Sequence, residues 1–158
     1  MEIVLRDDWD LTEPDSITGT IYFETPERSF PCHNYSDYPL RCFSDWLEKT
    51  MGFINRYKQH RSYSGDFLFF DGPYIISINH KPRSADLSLS FFDSVSIKEG
   101  QICGDNRISK ALVDVKAFGE MILISGREIV KISTCYGIPV KGIEKKLSIL
   151  DTFLSTNW

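Results

Sequence analysis

The sequence predicts one α+β domain spanning residues 1–158, in which an antiparallel sheet is covered by two or three helices. Three observations support this prediction. The chain has 158 residues and is 42% hydrophobic, which is enough for a single buried core. Segments with alternating apolar residues are separated by tight turns, and helical apolar stripes stand before and after them. No internal repeat, low-complexity stretch or linker divides the chain.

The N-terminal strands are predicted at residues 2–6 and 17–24, with the polar loop DDWDLTEPDS between them. The second segment alternates between two faces, as expected of a half-buried strand. Its apolar face carries Ile17, Gly19, Ile21 and Phe23, and its opposite face carries Thr18, Thr20, Tyr22 and Glu24.

The first helix is predicted over residues 37–58. Asp37 is a candidate N-cap, and Pro39 falls in the first turn, where its missing N–H costs little. Cations at the far end of the segment complement the helix dipole. One apolar stripe follows the helical period and consists of Leu40, Phe43, Leu47, Met51 and Ile54.

Three consecutive strands follow at residues 66–71, 73–80 and 86–93, and the short connections between them favour antiparallel pairing. Residues 94–106 are predicted to hold a short strand and a glycine-rich loop. Residues 107–113 are predicted to form an edge strand.

The period becomes helical again from Asp114, although Gly119 and Gly126 weaken the pattern. A last helix is predicted over residues 143–154. The apolar side of the longer helix consists of Phe118, Met121, Ile122, Ser125, Ile129, Ile132 and Ser133.

Charge is distributed unevenly along the chain. The first 27 residues hold eight carboxylates and one cation, a local charge of −7, whereas the whole chain carries −4. The remaining residues are therefore net positive by three. A dense group of carboxylates favours an interaction with a cationic partner. The predicted contact residues are the early acids with their tryptophan and one helical tryptophan: Asp7, Asp8, Trp9, Asp10, Glu13, Asp15, Glu24, Glu27 and Trp46. For Trp46, a position at the edge of the core is the plainer interpretation.

The sequence contains none of the common catalytic or phosphate-binding motifs, such as G-x-S-x-G, G-x-x-x-x-G-K or G-x-G-x-x-G. Asp8 and Asp10 form a D-x-D pair but lack the remaining ligands of a calcium loop, so a solvated acidic loop is favoured and no metal or cofactor is predicted. The cations of residues 56–61 are too few to predict nucleic-acid binding in an acidic chain. A hydrolase that uses Cys32 or His33 remains the alternative from another class.

Neither a secretory signal nor a membrane-spanning apolar run is visible in the sequence. The four cysteines lack zinc-type spacing and are predicted to be reduced thiols. These features predict a cytoplasmic location without membrane contact.

Three segments together carry a resemblance to a known class of proteins. They are DYPLRCFSDWLEKTMGFI, FLFFDGPYIISINH and DVKAFGEMILISGREIVKIS, within residues 37–133. Their order resembles that of the immunity proteins that accompany bacterial polymorphic toxins and contact-dependent growth inhibition systems. The resemblance implies a non-catalytic cytoplasmic protein that binds and blocks one toxin, often a nuclease with a basic cleft. A regulatory domain that binds a different protein is a further alternative, and the oligomeric state stays open.

Overall fold

The computed structural model describes residues 1–13, 16–98 and 101–156, and it confirms the α+β class. Three helices pack with antiparallel sheets in one domain. The strands are β1 Glu2–Leu5, β2 Gly19–Glu24, β3 Ser29–Phe30, β4 Ser36–Asp37, β5 Tyr63–Leu68, β6 Ile75–His80, β7 Asp86–Phe92, β8 Val95–Lys98, β9 Gln101–Gly104 and β10 Arg107–Asp114. The helices are α1 Pro39–Lys58, α2 Val115–Cys135 and α3 Lys141–Thr156.

The strands form two sheets and a hairpin rather than a single sheet. In the first sheet β1, β2 and β3 lie side by side, and β4 pairs with the beginning of β2. The second sheet has the order β10-β7-β6-β5, so that β10 is an edge strand, as predicted. Strands β8 and β9 form a separate hairpin. All of these pairings are antiparallel.

Aromatic side chains of the core join the two sheets through α1. The Trp46 ring of α1 stacks on Phe67 of β5 at 5.5 Å and lies 5.1 Å from Phe23 of β2, measured between ring centroids. All three side chains are buried. Such ring pairs contribute beyond their buried area, so this cluster fixes the β1–β2 ribbon relative to the second sheet.

The predicted helices are present, but the N-cap of α1 is Tyr38 rather than Asp37, and no side chain caps this helix. Asp37 lies one residue earlier in β4 and is fully buried. Its carboxylate accepts hydrogen bonds from the Tyr38 and Phe70 main-chain N–H groups at 2.7 and 2.8 Å. The carboxylate therefore serves the junction with the second sheet, a long-range contact that local sequence does not reveal.

The second helix begins as predicted, because Asp114 is its N-cap and accepts a hydrogen bond from the Ala117 N–H at 3.0 Å. Every residue of its predicted apolar side is buried. Within the described ranges, no helix is both long enough and apolar enough to cross a membrane.

Candidate partner-binding surface

The early acids fall into two groups at opposite ends of the β1–β2 ribbon. Glu2 pairs in register with Glu24 at one end, and the acids of residues 7–13 follow β1 at the other end. A four-residue strand separates the groups by about 13 Å. The acids among the predicted contact residues therefore form two separate groups on one ribbon.

The loop after β1 is held by its own carboxylates. Asp8 accepts hydrogen bonds from both the main-chain N–H and the hydroxyl of Thr20 in β2. Asp10 pairs with Thr18 through two main-chain hydrogen bonds, of 2.8 and 3.3 Å. Its carboxylate accepts the Thr12 N–H at 2.9 Å, and the hydrogen bonds from Thr12 lower the pKa of Asp10. This carboxylate is therefore ionised at neutral pH.

Trp9 faces the interior, although it stands among exposed acids. Its side chain is 5% exposed and stacks on Tyr136, with the ring centroids 5.9 Å apart and the planes nearly parallel. No described residue accepts a hydrogen bond from its Nε1. The structure thus removes Trp9 from the predicted contact surface and makes it the anchor of the loop, because alternation along the chain turns it inward between Asp8 and Asp10.

Tyr136, at the end of α2, completes this anchor. Its hydroxyl lies near the Asp7 carboxylate. Partial burial, and then this carboxylate, raise the pKa of Tyr136. The loop is therefore attached to α2 as well as to β2, which positions the exposed carboxylates before any partner binds.

Trp46 is likewise removed from the predicted contact surface. It is fully buried, and its Nε1 donates a hydrogen bond to the Leu68 carbonyl oxygen at 2.8 Å. The side chain lies between α1 and β5, so it offers no area to a partner. The prediction that Trp46 contacts a partner came from its sequence neighbours Asp45 and Glu48, which belong to the polar side of the same helix.

The remaining predicted contact residues differ in exposure. Glu24 is half-buried and accepts a hydrogen bond from the Ser29 hydroxyl at 2.7 Å, whereas Glu27 is exposed at the β2–β3 turn. Asp15 lies outside the described residues. The exposed members among the described residues are Asp7, Asp8, Asp10, Glu13 and Glu27.

These acids are not neutralised within the described part of the chain. Its lysine and arginine ion pairs join helical acids, including Asp45, Glu120, Glu128, Asp151 and Glu48, and none involves an acid of the first 27 residues. The carboxylates therefore remain hydrated and produce a negative electrostatic potential at the surface. They are therefore available to the basic groups of a partner.

The two residues of the alternative chemistry, Cys32 and His33, are both exposed. His33 places Nδ1 3.1 Å from the Tyr22 hydroxyl. His80 is buried, with Nε2 3.0 Å from the Ser84 carbonyl oxygen. Across residues 1–13, 16–98 and 101–156, no group of three His, Cys, Asp or Glu side chains is placed to hold a metal ion.

A second exposed feature was not singled out from the sequence. Leu112 of the edge strand β10 is 70% exposed and has Lys110 two residues before it. The segment RISKALVD indicates this feature in the sequence, because side chains alternate along a strand and place Lys110, Leu112 and Asp114 on one side.

Comparisons of the chain with family models, with curated proteins and with solved structures find no match. The function of this chain is therefore inferred from its surface. Its two distinctive features are the acids of the β1–β2 ribbon and the edge of β10.

Proposed function

We propose that this chain is a non-catalytic immunity protein that binds a cationic bacterial toxin domain and occludes its active site. The observation that carries the proposal is the set of exposed acids on the β1–β2 ribbon, which have no lysine or arginine partner in the described part of the chain. A nuclease fits this surface because its cleft must be basic to hold phosphates.

The proposed mechanism is electrostatic attraction followed by steric occlusion. The charges of Asp7, Asp10 and Glu13 accelerate association with a basic cleft, and the acids at the β2–β3 turn extend the contact. Trp9 and Asp8 keep the loop in place, so little conformational entropy is lost on binding. The chain needs no cofactor and performs no reaction in this role.

The proposal includes a cytoplasmic location, where a nuclease toxin meets its substrate. Cys32, Cys42 and Cys135 are free thiols, which suits a reducing compartment.

The decisive experiment uses the protein encoded directly upstream of this gene as the candidate toxin. Its expression should arrest growth, and co-expression of this chain should restore growth. Purified, the two proteins should form a complex whose association slows as salt is added. Growth arrest without rescue, or the absence of a complex, would contradict the proposal.

A matched pair of variants tests the surface. Asp7→Asn, Asp10→Asn and Glu13→Gln together remove three charges from the loop while keeping the side-chain shapes, and we expect association at low salt to slow by about tenfold or more. The control is the triple variant that removes three charges from α2 and α3, namely Glu120→Gln, Glu128→Gln and Glu144→Gln. The control should associate like the wild type. Equal association rates for the loop variant and the wild type would remove this loop from the interface.

A further inference from the structure

The edge strand β10 presents unpaired main-chain groups. Val115 donates its N–H to the Ala85 carbonyl oxygen at 2.8 Å, which fixes the hydrogen-bonding phase of the β10–β7 ladder. Bonded and non-bonded residue pairs alternate in an antiparallel ladder. The main-chain N–H and C=O groups of Lys110 and Leu112 and the N–H of Asp114 therefore point away from β7, toward the open edge. The Asp114 C=O, at the N-cap, accepts the first hydrogen bond of α2.

No strand of the described residues pairs with this edge of β10. A groove of about 490 Å³ runs along residues 109–114 and Phe91 of β7, and Met1 and residues 25–27 also line it. A β-bulge between Arg107 and Ser109 interrupts the strand near its N-terminal end, so its regular part begins at Ser109. The accessible edge is thus one regular segment, residues 109–114.

Leu112 lies at the centre of the outward-pointing residues. It is 70% exposed, the highest value among the large hydrophobic side chains of the described residues. An apolar side chain at the middle of an open edge favours strand pairing, because pairing would bury it together with the main-chain groups.

We propose that β10 pairs with β10 of a second copy of this chain, antiparallel and centred on Leu112. In this register Leu112 stands opposite Leu112 of the other copy. Lys110 stands opposite Asp114 on both sides of the two-fold axis. The central pair forms two main-chain hydrogen bonds, and each outer pair forms one, from the Asp114 N–H to the Lys110 C=O, because the Asp114 C=O belongs to α2. The two four-stranded sheets become one continuous sheet.

The charges of Lys110 and Asp114 favour a second copy of this chain as the partner, and they favour this register of pairing. An antiparallel pairing centred on Lys110 places two lysines opposite each other, and a pairing centred on Asp114 places two aspartates opposite each other. A parallel pairing in register opposes like charges at both positions. Only the arrangement centred on Leu112 opposes Lys110 to Asp114, and opposite charges across a strand pair stabilise it. The Asp114 carboxylate uses Oδ1 for the Ala117 N–H, so Oδ2 is available to the lysine.

The test is the mass of the purified chain in solution, measured by sedimentation velocity as a function of concentration. We expect a dimer of twice the 18.2 kDa chain mass, and protection of the Lys110 and Leu112 amides from hydrogen exchange as it forms. A chain that stays monomeric at millimolar concentration overturns the proposal, and the edge would then be open to a strand of another protein.

Substitutions at the edge test the contact. Leu112→Lys should raise the dimer dissociation constant by about 100-fold or more, since it places two cations on the two-fold axis. The control Ile124→Lys replaces a side chain of similar exposure (66%) on α2 and should leave the dimer unchanged. A dimer that persists in Leu112→Lys overturns the proposal.

A charge exchange tests the register, and folding is checked separately because Asp114 also caps α2. Lys110→Glu opposes two acids and should weaken the dimer, as should Asp114→Lys, which opposes two lysines. The double variant K110E/D114K restores opposite charges and should recover most of the wild-type dimer affinity. Far-UV circular dichroism confirms that each variant is folded. A double variant as weak as the single variants would exclude the proposed register.

Discussion

At the residue scale, Trp9 and Asp8 have structural roles inside a loop whose composition indicates recognition. Trp9 packs between Gly19 and Tyr136, and Asp8 binds the Thr20 main chain. Their neighbours Asp7 and Asp10 stay exposed. Charge alone does not distinguish these roles, because only the packing environment decides which side chains of a loop turn inward.

The contact between Trp9 and Gly19 leads to a first prediction. A Cβ at position 19 would lie 2.5 Å from Cδ1 of the Trp9 ring, so Gly19→Ala must displace the indole. We expect the free energy of unfolding to fall by about 1–3 kcal/mol, the usual cost of overpacking a core. Urea denaturation measures the change, and tryptophan emission should shift to the red.

Gly142→Ala is the matched control for Gly19→Ala. A Cβ at position 142 meets nothing within 4 Å, and the residue lies in α3, where alanine is favoured over glycine by up to about 1 kcal/mol. Equal effects of the two substitutions would contradict the Trp9 packing.

Cysteine reactivity provides a second prediction. Burial, and then the charge of Asp37, raise the pKa of the Cys42 thiol, whereas Cys32 and Cys135 are exposed. Only the thiolate reacts, so Cys42 should resist an aromatic disulfide reagent at pH 8 until the protein unfolds. Peptide mapping of the labelled protein checks this. Labelling of Cys42 as fast as Cys32 in the folded protein would contradict its burial.

At the scale of elements, the glycines of α2 allow the three helices to approach closely. A Cβ at Gly119 would lie 2.8 Å from Leu154, and one at Gly126 would lie 2.3 Å from Leu147 and 3.0 Å from Phe43. The positions that weaken the helical pattern in the sequence are therefore the contact points of α2 with α3 and α1. Glycine lowers the helix propensity at these two positions, but it allows the neighbouring helices to pack closely.

Gly126→Ala tests this balance. Alanine improves helix propensity by about 1 kcal/mol, but overpacking at a junction of buried side chains costs about 1–3 kcal/mol, so we expect a net loss of stability. Thermal unfolding measures it. In the Leu147→Ala background the Leu147 methyl groups are absent and only Phe43, at 3.0 Å, stays close to the added Cβ, so Gly126→Ala should cost less stability than in the wild type. A stabilising effect in both backgrounds would contradict the close approach.

At the scale of the whole molecule, Trp46 connects the parts that chain order separates. It contacts Phe23 of the first sheet and Phe67 of the second, and it binds the Leu68 carbonyl oxygen. Both sheets consequently depend on one side chain of α1. A shared core of this kind favours a single cooperative unfolding transition.

Trp46→Ala should therefore lower the free energy of unfolding by about 3–5 kcal/mol. For the wild type, the transitions followed by circular dichroism and by tryptophan fluorescence should coincide. Ile149→Ala, at a position on α3 that is 46% exposed, is the control and should change stability by about 0.5 kcal/mol or less. Separate transitions for the two probes in the wild type would show that the sheets unfold independently.

Much of the local structure could be predicted from the sequence. The helical period located α1, α2 and α3, strand patterns with short turns located β5, β6 and β7, and an edge strand was expected where β10 lies. The excess of acids in the first 27 residues is also visible in the sequence. These features are readable because each depends on neighbours within a few positions along the chain.

Tertiary structure alone decided the rest. It divided the strands between two sheets, turned Trp9 and Trp46 inward, moved Asp37 from a cap to a buried acceptor, and left the edge of β10 open. Each of these outcomes depends on contacts between residues far apart in the chain, such as Trp9 with Tyr136 and Asp37 with Phe70. A local pattern shows that a strand exists, whereas its partner and its free side are set by packing of the whole molecule.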